Sequence, residues 1–371
     1  MTQRIYLFNP DNDLALAHAV GYYTAPRFAQ KMQADLCTLP MWYAPKGSMV
    51  LVNDDRTRQW IETYSTKFQL GIKGITPEDL PKIHDAEFHP WGWSATLRQR
   101  LINMGVKPDN LPSEAQTRKI RNLAHRRNSI AIFQYFQAHT ALHLPPTPSE
   151  VNNFDEVSHF AITHPGSYIK MPWSGSGKGI YHAVDPASAE FERWCRGAIK
   201  RQGSVMCEIG LKRTLDFALE YECSDGFAKL IGYSVFESDS HSQYSSGVVA
   251  SIEALYAKIT AAYPHFHQVI PVITQAIGHI YAKHYEGYIG VDMLLYDNDG
   301  ETLLDPCVEV NLRATMGLVT CMVGENVMPK GATGKFKIEY SKCGFAKPSE
   351  NRIYLSPIFS DTQYCAYVEL D

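Results

Sequence analysis

The sequence has no long hydrophobic run, no paired-cysteine motif and no excess of positive charge. Each absence removes a class of function. No stretch approaches the ~20 apolar residues that a membrane-crossing helix needs. The short apolar run ending at Phe8 meets Asn9-Pro10-Asp11 well before it reaches the length of a signal-peptide core. The eight cysteines (37, 195, 207, 223, 307, 321, 343 and 365) are scattered and form no CxxC, so they are expected as reduced thiols in a cytoplasmic protein. Net charge is −4, so no global basic field argues for nucleic acid, and any polyanion must be held by local cations. Neither an internal repeat nor a low-complexity tract interrupts the chain. What remains is ordinary globular composition, 45% hydrophobic and 20% charged, over 371 residues, which is long enough for two or three packed units.

The first of these units is expected over 1–112. Arg4–Phe8 reads as a buried strand, Leu14–Val20 as a helix, Met49–Val52 as a strand, Asp55–Lys67 as a helix capped by Asp54 or Asp55, and Ser94–Met104 as a helix ending at Gly105. This alternation predicts a small parallel α/β domain. Ser113 caps the next segment, which carries Arg118, Lys119, Arg121, Arg126 and Arg127 before a helix over Asn128–Ala138. Strands follow at Ser167–Met171, Gly179–Ala183 and Val205–Ile209, with a helix over Pro186–Gln202, so a second unit is expected over 113–207. From 208 to 371 the pattern predicts alternating β-structure over Leu211–Phe236, a polar loop over Asp239–Gly247 and a helix over Phe266–Tyr285. Strands at Tyr288–Tyr296 and Leu303–Leu312 are joined by the turn Asp297–Gly300, and a β-rich tail follows.

Three elements carry chemistry. The first is a strand lysine, Lys170, followed by Met171-Pro172-Trp173-Ser174-Gly175-Ser176-Gly177-Lys178-Gly179. Small residues let backbone amides approach an anion closely. The loop fails as a P-loop because position 172 is Pro and position 179 is Gly, and its GxGxG spacing fails the kinase-type GxGxxG. By itself it is weak evidence, with a flexible hairpin turn as the alternative. The second element is Asp292, inside the apolar strand Tyr288–Leu295, where a carboxylate is costly unless paired or metal-bound; capping of a neighbouring loop is the alternative. The third is Glu309-Val310-Asn311-Leu312-Arg313. On an extended strand Glu309, Asn311 and Arg313 share one face, and Val308, Val310 and Leu312 the other. Two hard oxygen ligands beside a guanidinium suit Mg²⁺ and a transferable phosphate, while a surface ion pair between Glu309 and Arg313 is the bland alternative. Asp305-Pro306 is expected as a bulge.

In this order, with "IKMPWSGSGKGI" and "VEVNLRATMGLVT" as the fullest stretches, the chain resembles the ATP-grasp superfamily of carboxylate–amine and carboxylate–thiol ligases from Ser113 to Val323. Its nearest branch holds formate-dependent glycinamide ribonucleotide transformylase and biotin carboxylase. The resemblance implies a mixed α/β and α+β fold, with an N-terminal Rossmann-like domain and a nucleotide held between two α+β subdomains. It implies that Arg127, or its neighbour Arg126, touches phosphate, and that Lys170 meets the α- and β-phosphates. Ser174, Gly175, Ser176, Gly177 and Lys178 would close over the β- and γ-phosphates. Glu208 to Leu211 would read adenine and Asp216 the ribose. Asp292, Glu309 and Asn311 would hold magnesium, as two ions or with Mn²⁺ in their place. Arg313 would steady the phosphoryl group in transfer.

The implied reaction activates a carboxylate as an acyl phosphate, with release of ADP, for attack by an amine or other nucleophile. A kinase of the same fold and a non-catalytic nucleotide-binding protein stand as alternatives. Partners are expected to be small acids and amines, with no nucleic acid, no membrane and a homodimer as the default. His139 and His143 lack the Glu of HExxH, so zinc is not expected there. Asn9–Asp13 reads as a substrate loop or a helix-capping turn, His89–Trp93 as core or interface, and Ser240–Gly247 as a lid or a solvated connection.

Overall fold

The computed structural model describes residues 2–175, 179–238, 244–345 and 349–371. Its first unit runs β1 (Gln3–Leu7), α1 (Asn12–His18), α2 (Arg27–Asp35), β2 (Met49–Leu51), α3 (Asp55–Lys67), β3 (Lys73–Ile75), β4 (Ala86–Pro90) and α4 (Ala95–Asn103). The strands form a parallel sheet in the order β3-β2-β1-β4. Helix α3 begins where the Asp54 carboxylate accepts from the Thr57 backbone N–H, and α4 where the Ser94 hydroxyl accepts from Leu97. Strands β3 and β4 and helix α2 were not apparent in the sequence. The first is too short to show a period, and the second carries Glu87, His89 and Pro90 around a single buried Phe88.

Next come α5 (Glu114–Leu123) and α6 (Asn128–His139). Ser113 and Gln116 complete a reciprocal capping box at the start of α5. The second sheet is built from β5 (Ser149–Val151), α7 (Phe154–Thr163), β6 (Ser167–Lys170), β7 (Ile180–Ala183), α8 (Ala189–Gln202) and β8 (Val205–Glu208). Its strands are antiparallel in the order β5-β8-β6-β7, over a core that includes Val157, Ile169, Phe191 and Val205. This small unit spans 149–208 and is narrower than the expected 113–207. Ile132, Phe133 and Phe136 of α6 are instead buried with Phe217, Leu219 and Phe266 of the next segment. Sequence order does not say which of two sheets an apolar helix will cover.

The third segment contains β9 (Arg213–Ser224), β10 (Phe227–Ser238), β11 (Tyr244–Val249), α9 (Ile252–Ala262), α10 (Phe266–Ile277), β12 (Gly287–Asn298), β13 (Glu301–Asn311), α11 (Met316–Asn326), β14 (Gly334–Tyr340), β15 (Arg352–Tyr354) and β16 (Tyr364–Leu370). Among the described residues these strands make one sheet of eight, ordered β13-β12-β9-β10-β11-β14-β16-β15. Residues 244–247, expected as loop, are strand; 239–243 lie outside the described residues. Helix α10 ends at Ile277 and continues as a π-turn over Gly278–Ala282. The expected turn at 297–300 is present, with Asp299 and Gly300 at φ 53° and 94° and the Asp297 carboxylate accepting from Gly300 N at 2.7 Å. The C-terminal strands are no separate tail. They extend the large sheet, and the Leu355 carbonyl accepts from Thr38 Oγ1 at 2.9 Å and Trp42 Nε1 at 2.8 Å in the first unit.

Candidate active site

Strands β9, β12 and β13 lie side by side, and their register stacks polar side chains in rows. Gly290 faces Glu220 on one side and Asn311 on the other; Asp292 faces Ala218 and Glu309; Leu294 faces Asp216 and Asp305. Because side chains alternate, these residues occupy one face of the sheet. Gly290 and Ala218 leave that face open where the acids converge. A Cβ on Gly290 would stand 2.5 Å from the Thr315 methyl and 3.1 Å from a Glu220 oxygen.

The expected bulge is present. Three residues of β12, Asp292 to Leu294, lie opposite five of β13, Glu309 back to Asp305. It overturns one expectation. Val308 was assigned to the opposite face from Glu309, yet both line the same cavity, because the extra residues break strict alternation.

That cavity holds about 570 Å³ and lies between the small sheet, the large sheet and the end of the first unit. From the small sheet come Lys170 and Glu208, which are ion-paired; the Lys170 ammonium also donates to the Val308 carbonyl at 3.4 Å. Ile209, Leu211 and Asp216 line the same end. Of the glycine loop, Gly175 lines the cavity, directly after Ser174. Ser176, Gly177 and Lys178, expected to clamp phosphate, lie outside the described residues.

Arg126 organises the loop entry. It donates through Nη1 to the Met171 carbonyl (2.5 Å) and Ser174 Oγ (2.6 Å), and through Nη2 to Glu309 (2.7 Å). Its Nε–H is buried without a partner among the described residues. Arg127, the position expected to touch phosphate, points elsewhere: it is half exposed, 3.5 Å from Glu150, and does not line the cavity. The chain enters α6 directly after Arg127, so adjacent arginines diverge, and the sequence could name the pair without choosing between them.

Arg313 does not pair with Glu309. Its Nε donates to both oxygens of Asp13, at 3.1 and 3.0 Å, and its Nη2 donates to Asn311 Oδ1 at 2.9 Å. Burial opposes its charge, but Asp13, Glu309 and Asp292 more than offset this, and its pKa is raised. Asp13 thereby ties the first turn of α1 to the loop after β13. The loop before α1 is fixed by Asn9, which donates to the Gly92 carbonyl at 2.8 Å, and by Asp11, which pairs with Arg100 at 2.6 Å. Helix α1 receives no side-chain cap from Asp11, so the capping account of this turn fails. Trp91 and Trp93 are buried, as the core reading expected, and Trp91 also borders the cavity.

Burial pushes Asp292 up to about 7, with the neighbouring Glu309 charge adding to it; the Asn311 amide, donating at 3.0 Å, pulls the other way. Burial likewise raises Asp305 to about 7 and Glu220 to about 8. Glu220 accepts from the Thr315 hydroxyl at 2.8 Å and the Ser234 hydroxyl at 3.2 Å. Glu220 was not singled out from sequence as a site residue, and Asp13 was named only within the candidate substrate loop Asn9–Asp13. The period-2 run Asp216-Ala218-Glu220 carried the signal for the first, whereas nothing local shows that Asp13 of that loop would meet Arg313.

Among the described residues no three His, Cys, Asp or Glu side chains cluster as a metal site. Asp292, Glu309 and the Asn311 amide nevertheless fit Mg²⁺, which takes few protein oxygens and leaves the remainder to phosphate and water. Asp292 and Glu309 face one another; Arg126 pairs with Glu309, while burial and that neighbouring charge hold Asp292 above its ordinary pKa.

No family model matches the sequence, and no curated protein does. Solved structures do. Biotin carboxylase from Campylobacter jejuni, in a β,γ-ATP complex, matches with a TM-score of 0.55 and 13% identity over 100% of this chain and 88% of that one. N5-carboxyaminoimidazole synthetase from Staphylococcus aureus, complexed with ADP, matches at 0.51 and 12% over 100% and 93%. This chain has an ATP-grasp fold. The biotin carboxylase domain of Hydrogenobacter thermophilus 2-oxoglutarate carboxylase, with MgADP, ADP and bicarbonate, shares it at 0.53 and 10%, over 100% and 86%. In the ATP-grasp fold of this chain, the small sheet and the acid-bearing face of the large sheet form the two walls of the cavity.

Proposed function

We propose that the protein is an ADP-forming, magnesium-dependent ligase that activates a carboxylate with ATP and passes the acyl group to an amine or other nucleophile. One observation carries this reading: strand register sets Asp292 against Glu309, and Asn311 beside them, in a cavity that also receives Lys170 and Arg313. The matched biotin carboxylases and synthetase, crystallised with ATP, ADP or MgADP, support it.

Lys170 and the glycine loop bind the phosphate chain of ATP. Asp292, Glu309 and Asn311 hold magnesium, which supplies charge neutralisation at the phosphates when bound. Arg126 couples the loop to that centre, because one guanidinium holds both Ser174 and Glu309. Arg313 sits where an incoming carboxylate would be neutralised. A carboxylate oxygen bonds to the γ-phosphorus as the bond to the β–γ bridging oxygen breaks, and ADP leaves with that electron pair. The amine nitrogen then bonds to the acyl carbon; phosphate leaves with the C–O electron pair and the amine gives up a proton. The protein's part is positioning and electrostatics, and no side chain forms a covalent intermediate.

The test is ADP and phosphate release across pools of acids and amines. Release that requires both an acid and an amine is expected; a stable phosphorylated product formed without amine would establish the kinase alternative. Glu309→Gln is expected to keep the fold and lower magnesium-dependent turnover at least 100-fold, an effect of about 3 kcal/mol on the barrier. Wild-type turnover in that variant would remove the metal assignment.

A further inference from the structure

The cavity is chemically two-sided. The end toward Lys170 and Asp292 is charged. Beyond Arg313 and Thr315 it continues over the same face of the large sheet and changes character. There it is bordered by Phe28 and Met32 of α2, Trp91, Met316 at the start of α11, and Tyr340 and Tyr364 of β14 and β16. The reasons are local. Phe28 and Met32 are four apart on one helix face. Tyr340 and Tyr364 are directly opposed across the β14–β16 pair, with ring centroids 4.9 Å apart. Trp91 is fixed by its carbonyl, which accepts from Ala314 N at 2.8 Å, one residue beyond Arg313.

Two of these side chains, Phe28 at 42% and Tyr340 at 50%, are among the few large hydrophobic residues left exposed. Such exposure at the rim of a cavity marks a binding surface rather than a core. A site for bicarbonate or another acid of one or two carbons needs no chamber of this kind.

Resting on the ligase reading above, we propose that the acid substrate carries a bulky apolar body, aromatic or branched, seated between α2 and the β14–β16 pair with its carboxylate directed to Arg313. The chamber begins at the guanidinium that would hold the carboxylate, so a single molecule can occupy both. Arg313 stands between the phosphate-binding end and the apolar end, which places the carboxylate of such an acid next to the γ-phosphate position. Selectivity then comes from the apolar body, each buried methylene adding roughly fourfold to the preference over a short acid.

Two measurements keep this inference separate from the ligase reading. The first is calorimetric binding, without nucleotide, of 3-phenylpropanoate and 4-methylpentanoate against acetate and bicarbonate. The second is hydroxylamine trapping with ATP and magnesium, in which the hydroxylamine nitrogen displaces phosphate from the acyl carbon to give a hydroxamate. Wild-type protein is expected to bind the bulky acids at least tenfold more tightly than the short ones and to form their hydroxamates. Phe28→Asp and Tyr340→Asp, both at exposed positions, are expected to weaken bulky-acid binding at least tenfold while the dissociation constant for ATP stays unchanged. Equal or weaker binding of bulky acids than of acetate, or no effect of either substitution, would overturn the chamber. Bulky-acid binding that is lost in the variants but never yields hydroxamate would uphold the chamber and overturn the ligase reading.

Discussion

Glu220 shows how much a single buried acid contributes. It shares a sheet face with Asp292 and Glu309, and burial raises it from an ordinary 4.5 to about 8. The folded protein therefore keeps a proton there that the unfolded chain gives up. The sign follows from linkage: stability from this group is fully present below about pH 4.5 and is lost as pH rises through about 8. Glu220→Gln keeps the shape and removes the titration. In metal-free urea unfolding between pH 5 and 8.5, the variant is expected to lose less stability with rising pH than the wild type. Identical slopes would mean that Glu220 is charged in the folded state. The residue scale also shows where sequence reading stopped. Arg126 and Arg127 look alike in a string, and only the chain direction into α6 assigns one to Ser174 and Glu309 and the other to Glu150.

At the scale of elements, the site depends on close approach as much as on charge. Helix α11 begins against the acid face through Gly317. A Cβ there would lie 2.1 Å from a Glu220 oxygen and 2.4 Å from Ser234 Oγ. Gly317→Ala is expected to cost about 1–3 kcal/mol by overpacking, read as a lower urea midpoint. Turnover should fall with it, because Thr315 and Arg313 immediately precede the helix. Unchanged stability would show that α11 can shift freely. Elements with a clear period or cap were legible in the sequence: α3 matches its expected span, and α4 starts after its serine cap. Those with neither, such as β3 and β4, were not. The face of Val308 was misread because an alternation rule holds only until a bulge, and the sequence marks a bulge near Asp305-Pro306 without giving its length.

For the whole molecule, one core joins the beginning of the chain to its end. Phe8, Trp42 and Val50 of the first unit are buried with Leu318, Phe336 and Val368 of the third. Trp42→Ala is therefore expected to destabilise the protein by about 3–5 kcal/mol and to raise amide exchange in β1, β2, β14 and β16 together. A rise confined to the first unit would contradict a shared core. The same docking carries Asp13 to Arg313, across 300 positions of sequence, and helps to shape the chamber at α2.

The sequence by itself determined the strand periods, the caps, and the order lysine strand, glycine loop, acidic strand and Glu-Val-Asn-Leu-Arg. These are local properties, set by side-chain alternation and backbone preference within a few residues. Tertiary structure alone decided which arginine faces the loop, that Asp13 meets Arg313 and Glu220 joins the acid face, and which apolar side chains border the cavity. Each of those results depends on the pairing or docking of distant segments, and no local pattern in a chain specifies which distant surface it will meet.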